Sequence, residues 1–214
     1  MTDLINLYNE YYVERGFERL GLFQLMEEKF HPQKVLYPGS FVHITPSFVF
    51  PRTTYLDSDK KAKRFFEHPA LMQFLVERKR YERVPKIEFH ALDFTAESKP
   101  DLGQFDLMIS QYAGFISQHC KRYLSVGGLL LVNNSHGDAS MASIDEDYQL
   151  VAVLLRGKRS YRIEENNLKA YFVLKKPQVV TRSYIEEKRR GLVYIKAADS
   201  YLFKKIRGEN QETQ

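Results

Sequence analysis

The chain has 214 residues, enough for one domain of ordinary size and too few for two. Hydrophobic residues make up 43% and charged residues 28%, which excludes a disordered chain, and a core of this size needs no disulfide or metal support; the one cysteine, Cys120, cannot form an internal disulfide, as suits a reducing compartment. The formal net charge of +5 is mild, no stretch approaches the ~18 consecutive apolar residues of a membrane span, and Met1 to Asn6 lacks the basic and apolar regions of a signal peptide, so the expected setting is cytoplasmic and away from membranes.

The first thirty residues read as helices. Leu4, Leu7, Tyr8, Tyr11 and Tyr12 recur at helical spacing up to Gly16, and Phe17, Leu20, Leu22, Phe23, Leu25 and Met26 continue to Phe30-His31-Pro32. The sheet is expected to start at Lys34-Val35-Leu36-Tyr37, with Pro38-Gly39-Ser40 as a tight turn. Thr45-Pro46 opens a short helical turn that Pro51 limits, and Thr53–Leu56 forms a second strand ending at Asp57. Ser58 or Asp59 caps a helix through Phe66, and another helix follows Pro69. A third strand, Ile87–Leu92, ends at Asp93, and a fourth, Phe105–Ile109, ends at Ser110-Gln111. A helix over Ala113–Leu124 leads to Gly127-Gly128 and a fifth strand, Leu129–Val132. Two more strands are expected at Gln149–Leu155 and Lys169–Leu174, and one or two helices beyond Pro177, with a frayed end at 208–214.

Strands that alternate with helices imply parallel pairing with right-handed crossovers, and ligands in such sheets sit beyond the carboxyl ends of the strands. The informative residues are therefore those that close strands. Pro38-Gly39-Ser40-Phe41, Asp57-Ser58, Asp93-Phe94 and Ser110-Gln111 occur in the order and spacing of class I S-adenosylmethionine-dependent methyltransferases, as does the Leu124-Ser125-Val126-Gly127-Gly128 turn. Residues 33 to 175 resemble that family.

The resemblance implies a Rossmann-like methyltransferase fold, an α/β architecture with a mostly parallel seven-stranded sheet and helices on both faces. In one domain, residues 1–31 would form a helical cap, 32–176 the core and 177–214 an extension. It further implies S-adenosylmethionine as cofactor, with Pro38, Gly39, Ser40 and Phe41 in the first loop, Asp57 and Ser58 toward the ribose, Asp93 and Phe94 toward the adenine, and Ser110 and Gln111 where the fourth strand faces the reacting methyl group. The last two strands would be the family's antiparallel pair. One departure stands out: the first loop keeps a single glycine, Gly39, amid Tyr37, Phe41 and Val42, where the family has several that let backbone approach the cofactor closely.

Methyl transfer is an in-line displacement at a sulfonium carbon, to which positioning and a dry pocket contribute much, so a catalytic base is not obligatory. Candidates for one are His43, Tyr112 and His136. Tyr112 reads equally as a residue that stacks on an adenine or a substrate and as an N-terminal helix residue packed on the sheet. Ser110-Gln111-Tyr112-Ala113-Gly114 is not the Asn-Pro-Pro-Tyr type of motif, which disfavours adenine or glutamine as acceptors and favours a small molecule. The six histidines are scattered without ligand spacing, so no metal site is expected, and neither a P-loop nor a G-x-S-x-G elbow occurs. Basic residues gather late, at Arg156, Lys158, Arg159 and Arg162, at Lys188, Arg189 and Arg190, and at Lys204, Lys205 and Arg207. These read as a solvated surface or as a patch for a phosphate-bearing partner. The alternative function is accordingly a non-catalytic Rossmann-like module that binds nucleic acid or protein through this basic, tyrosine-rich region.

Overall fold

The computed structural model describes residues 2–158 and 160–208, so Arg159 and all but Gly208 of the expected frayed end lie outside the described residues. The chain divides into two compact units, Met1–Lys99 and Pro100–Gln214.

In the first unit, β1 (Val35–Pro38) is buried at every residue, as a parallel strand covered on both faces must be. It pairs in parallel with β2 (Arg52–Leu56), and β2 pairs in parallel with β3 (Lys86–His90). Helix α1 (Thr2–Tyr8) runs into a wide π-type turn, Asn9–Val13, and α2 (Leu20–Phe30) buries Leu22, Phe23 and Met26. A 3-10 turn covers Thr45–Phe48, with Pro46 near its start, where a missing N–H costs nothing. The expected cap of α3 (Lys60–Phe66) is Asp59, whose carboxylate accepts the Lys61 and Ala62 N–H groups. Helix α4 (Leu71–Arg78) turns Leu71, Phe74 and Leu75 inward. Aromatic rings fill the unit: Phe66 stacks on Phe89 at 4.6 Å, and Tyr8 meets Phe48 and Phe74 edge-on.

The second unit is mixed. Strand β4 (Phe105–Ser110) pairs in parallel with β5 (Leu124–Val132), and β8 (Ser200–Lys205) lies antiparallel between β5 and β6 (Tyr148–Arg156). Strand β7 (Tyr161–Glu164) adds an antiparallel edge to β6. The described residues thus form eight strands, three in the first unit and five in the second, where seven were expected; β1 to β5 pair in parallel within their units, as expected, and β8, β6 and β7 add an antiparallel edge.

Three expectations are corrected here. The segment Lys169–Leu174 is not a strand: Leu168–Phe172 is a 3-10 turn with Tyr171 buried, and the hairpin partner of β6 is β7. The helix foreseen over Ala113–Leu124 shrinks to α5 (Ile116–His119) and a 3-10 turn at Lys121–Tyr123. Gly127-Gly128 lies within β5, where the pairing slips by a bulge; a Cβ on Gly128 would stand 2.8 Å from the Leu124 side chain and 2.9 Å from the Ser125 carbonyl, so only glycine fits. Strand β8 comes from the expected C-terminal extension. Its last residue, Lys205, is buried, and its ammonium donates to the carbonyls of Lys121 and Leu124 at 2.9 Å each. Among the described residues no helix is long and apolar enough to cross a membrane.

Candidate functional site

The first unit presents the loop from Pro38 to His43 and the end of β2. Gly39 (φ 63°) takes the left-handed turn that glycine adopts without strain, and its N–H donates to the Leu56 carbonyl at 2.8 Å. Phe41 also has a left-handed backbone, φ 48°, which is strained for a bulky residue. Two contacts hold it there. Its N–H donates to Asp57 Oδ2 at 2.7 Å, and its ring meets Tyr11 edge-on at 4.9 Å. The Asp59 N–H donates to the other oxygen, Asp57 Oδ1, at 2.8 Å. Asp57 is thus fastened at both oxygens by backbone of its own unit, half-buried, with lone pairs remaining because a carboxylate accepts at about four positions. Its own N–H donates to the His90 carbonyl at 3.2 Å, which ties the ends of β2 and β3 together.

Asp93, three residues beyond β3, is exposed, and Oδ1 accepts the Thr95 N–H and hydroxyl at 2.8 and 2.7 Å. Phe94 is half-buried and Ser58 exposed. His90 was not foreseen as a site residue. Its Nε2 is buried with no hydrogen-bond partner, an orphaned polar atom on the residue that anchors Asp57.

His43 is not placed as a proton acceptor for a substrate. It is 2% exposed, stacks on Tyr12 at 4.2 Å, and has both ring nitrogens engaged. Because the Glu18 carbonyl 3.1 Å from Nε2 can only accept, Nε2 carries the proton and Nδ1 accepts from the Tyr37 hydroxyl at 3.0 Å. Burial, reinforced by the Arg19 charge, pushes its pKa down to about 3, so the ring is neutral at any physiological pH. Tyr12 covers the same loop: its phenol, raised by burial and by the Asp57 charge, stays protonated and donates to the Ser40 carbonyl at 3.2 Å. Tyr11 and Tyr12, which read only as the apolar face of a helix, are the lid of this loop.

In the second unit, Ser110 and Gln111 are buried and committed to internal bonds. The Ser110 hydroxyl donates to Asp138 Oδ2 at 2.5 Å; Gln111 accepts from Asn133 at 3.2 Å and reaches Ser200 at 3.5 Å. Asp138 opens α6 (Asp138–Ser143) and also receives the Ser117 hydroxyl and N–H. Burial raises its carboxyl above the usual range, and the hydrogen bonds from Ser110 and Ser117 pull the other way. Tyr112 is 44% exposed with φ 61°, and His136 is exposed beside Ser135.

No family model matches the chain, and no curated protein matches it. Solved structures resemble the chain. TehB from Haemophilus influenzae is 14% identical over 86% of this chain and 62% of its own, with a TM-score of 0.51. A methyltransferase from Geobacter sulfurreducens is 13% identical, covering 75% of this chain and 86% of its own, at a TM-score of 0.49. The O-methyltransferase TomG from Streptomyces achromogenes, involved in tomaymycin synthesis and solved in complex with SAM, is 15% identical over 68% and 76%, at 0.43. At 14% identity the likeness to TehB is one of fold, and this chain spans less than two thirds of TehB. The parallel strands of each unit and an antiparallel β8 seated between β5 and β6 make this a Rossmann-like α/β fold of the methyltransferase type.

Proposed function

We propose that the chain is an S-adenosylmethionine-dependent methyltransferase acting on a small molecule, with the nucleoside of the cofactor held by the first unit. Asp57 carries this reading. A carboxylate at the end of β2, immobilised by the N–H groups of Phe41 and Asp59, keeps unused lone pairs for the paired hydroxyls of a ribose. The donor set fits the cofactor: Gly39 and the Ser40–Phe41 backbone line the turn, Asp93 and Phe94 follow β3, and His90 Nε2 offers a polar atom that the fold leaves unused. Phe41 is drawn onto Tyr11 and Asp57 rather than left free, which gives the loop a fixed shape although Gly39 is the one glycine it keeps.

S-adenosylmethionine, when bound, supplies a methyl group on a sulfonium, and the protein's part is to hold, orient and exclude water. His43 serves as the joint that fixes the first loop to the Tyr37 and Glu18 positions. Tyr112, exposed at the end of β4, is the residue we assign to the acceptor, by stacking or through its hydroxyl. Calorimetry of the full chain with S-adenosylmethionine and its demethylated product tests the reading. Saturable binding is expected, with about 2.7 kcal/mol of stabilisation at a hundred times the dissociation constant. Asp57→Ala is expected to remove the heat of binding while leaving the fold intact. Absence of binding to either ligand by the unaltered chain would overturn the assignment.

A further inference from the structure

Residues 173–195 of the second unit build a frame with no part in the reading above. Two extended segments face each other through the bridge of Leu174 with Tyr194, the Lys175 N–H donating to the Val193 carbonyl at 2.9 Å and the Ile195 N–H to the Val173 carbonyl at 2.8 Å. Helix α7 (Arg182–Lys188) stands beside them. Thr181 caps it through the Tyr184 N–H, and buried Ile185 anchors it. After Arg189, at φ 47°, the chain turns so closely past Asn134 that a Cβ on Gly191 would stand 1.9 Å from the Asn134 carbonyl oxygen. The position of Arg190 is therefore fixed by backbone.

This frame lines an open concavity of about 510 Å³. Four of its ten lining residues are cations, Lys175, Lys176, Lys188 and Arg190, and none is an acid. Among the described residues no carboxylate pairs with any of the four; of the two acids of α7, Glu186 is engaged by Arg182 at 3.0 Å and Glu187 pairs with none of them, while Lys188 overlies the Tyr184 ring at 5.5 Å. Four like charges around one concavity repel one another and attract anions, an effect that low-dielectric walls reinforce. Elsewhere in the second unit Lys121 pairs with Asp145 and Asp147, and Lys196 with Glu164.

We propose that this cavity binds a small phosphorylated molecule, its phosphates among Lys175, Lys176, Lys188 and Arg190 and its apolar part against Leu192 and Tyr184. A single carboxylate would leave three of the four charges unanswered, whereas a diphosphate answers them. The volume lies within the ~300–1,000 Å³ usual for small-molecule sites. Arginine and lysine supply the donors that phosphate oxygens take up. The inference is independent of the methyltransferase reading, and its test involves no methyl donor.

Inorganic pyrophosphate and ATP are titrated separately into the full chain at low salt, by calorimetry. One-to-one binding of both is expected, with ATP displaced by pyrophosphate. The double variant K188Q/R190Q, whose altered side chains are exposed, is expected to keep the circular dichroism and melting profile of the parent and to bind at least ~10-fold more weakly, as loss of charge-assisted hydrogen bonds requires. Equal binding by K188Q/R190Q, or no binding of either probe by the parent, would overturn the proposal. So would affinity for single-stranded oligonucleotides that grows with their length and resists competition by pyrophosphate, since that pattern belongs to an extended surface.

Discussion

Two aspartates, one in each unit, receive hydrogen bonds from their surroundings, yet they do different work. Asp57 in the first unit is half-buried and accepts one backbone N–H at each oxygen. Asp138 in the second is 1% exposed and enclosed by Ser110, Ser117 and the start of α5. The first retains acceptor capacity toward solvent and so toward a ligand. The second has spent its capacity on joining β4, α5 and α6, and burial raises its carboxyl pKa. A carboxylate at a strand end is thus a binding group or an internal staple according to its exposure and the number of donors already committed to it.

The largest expected effect lies on the buried side of that contrast. Asp138→Ala strands two hydroxyls and a backbone N–H in an interior closed to water, at a cost of about 3 kcal/mol. For a chain of this size that corresponds to a fall of roughly 6–12 °C in Tm, read by calorimetric melting. An unchanged Tm would mean that water reaches the site and that the two aspartates are more alike than their burial implies.

A second test concerns His43, the buried joint of the first unit. Its folded pKa of about 3 lies below the ~6.5 of an unfolded histidine, so between those values the unfolded chain binds the extra proton. This contribution to stability is fully present above pH 6.5 and is lost as pH falls toward 3, by at most ~1.4 kcal/mol per pH unit. The raised carboxyl of Asp138 acts with the opposite sign, since its folded form takes up a proton first. The informative quantity is therefore the difference between the parent chain and His43→Gln in urea unfolding. That difference is expected to shrink from pH 7 to pH 5. A difference independent of pH would place the ring in contact with solvent and revive it as a candidate base.

How much of this could be read from residues alone follows from how local each signal is. Strands β1, β2, β3 and β4 were legible because apolar runs end at Pro38, Asp57, Asp93 and Ser110 within a few residues. Strand β8 was not, since Ser200–Lys205 sits in a stretch of tyrosines and charge, and nothing nearby announces that the Lys205 ammonium will be buried under two carbonyls. Likewise Lys169–Leu174 has the composition of a strand but turns, with buried Tyr171 donating to Glu164 at 3.0 Å. At the candidate site Asp57 stood out by its place after a strand. The engagement of His43 depended on Glu18, 25 residues away, and that of Asp138 on Ser110, 28 residues away. Contacts of that range leave no periodic trace.

The smallest expected effect on stability completes the contrast. Asp57→Ala frees the N–H groups of Phe41 and Asp59, but both face a half-exposed position where water can replace the lost acceptor. The net loss should be about 1 kcal/mol, the ordinary worth of such bonds. Part of it reflects the left-handed backbone of Phe41, which loses one of its two restraints and keeps only the Tyr11 ring. Urea unfolding of Asp57→Ala beside Asp138→Ala should therefore differ by a factor near three in lost stability, while only Asp57→Ala loses the response to S-adenosylmethionine. If Asp57→Ala unfolds as readily as Asp138→Ala, the carboxylate at the end of β2 is a staple as well, and lost cofactor binding in that variant would carry no weight for the site.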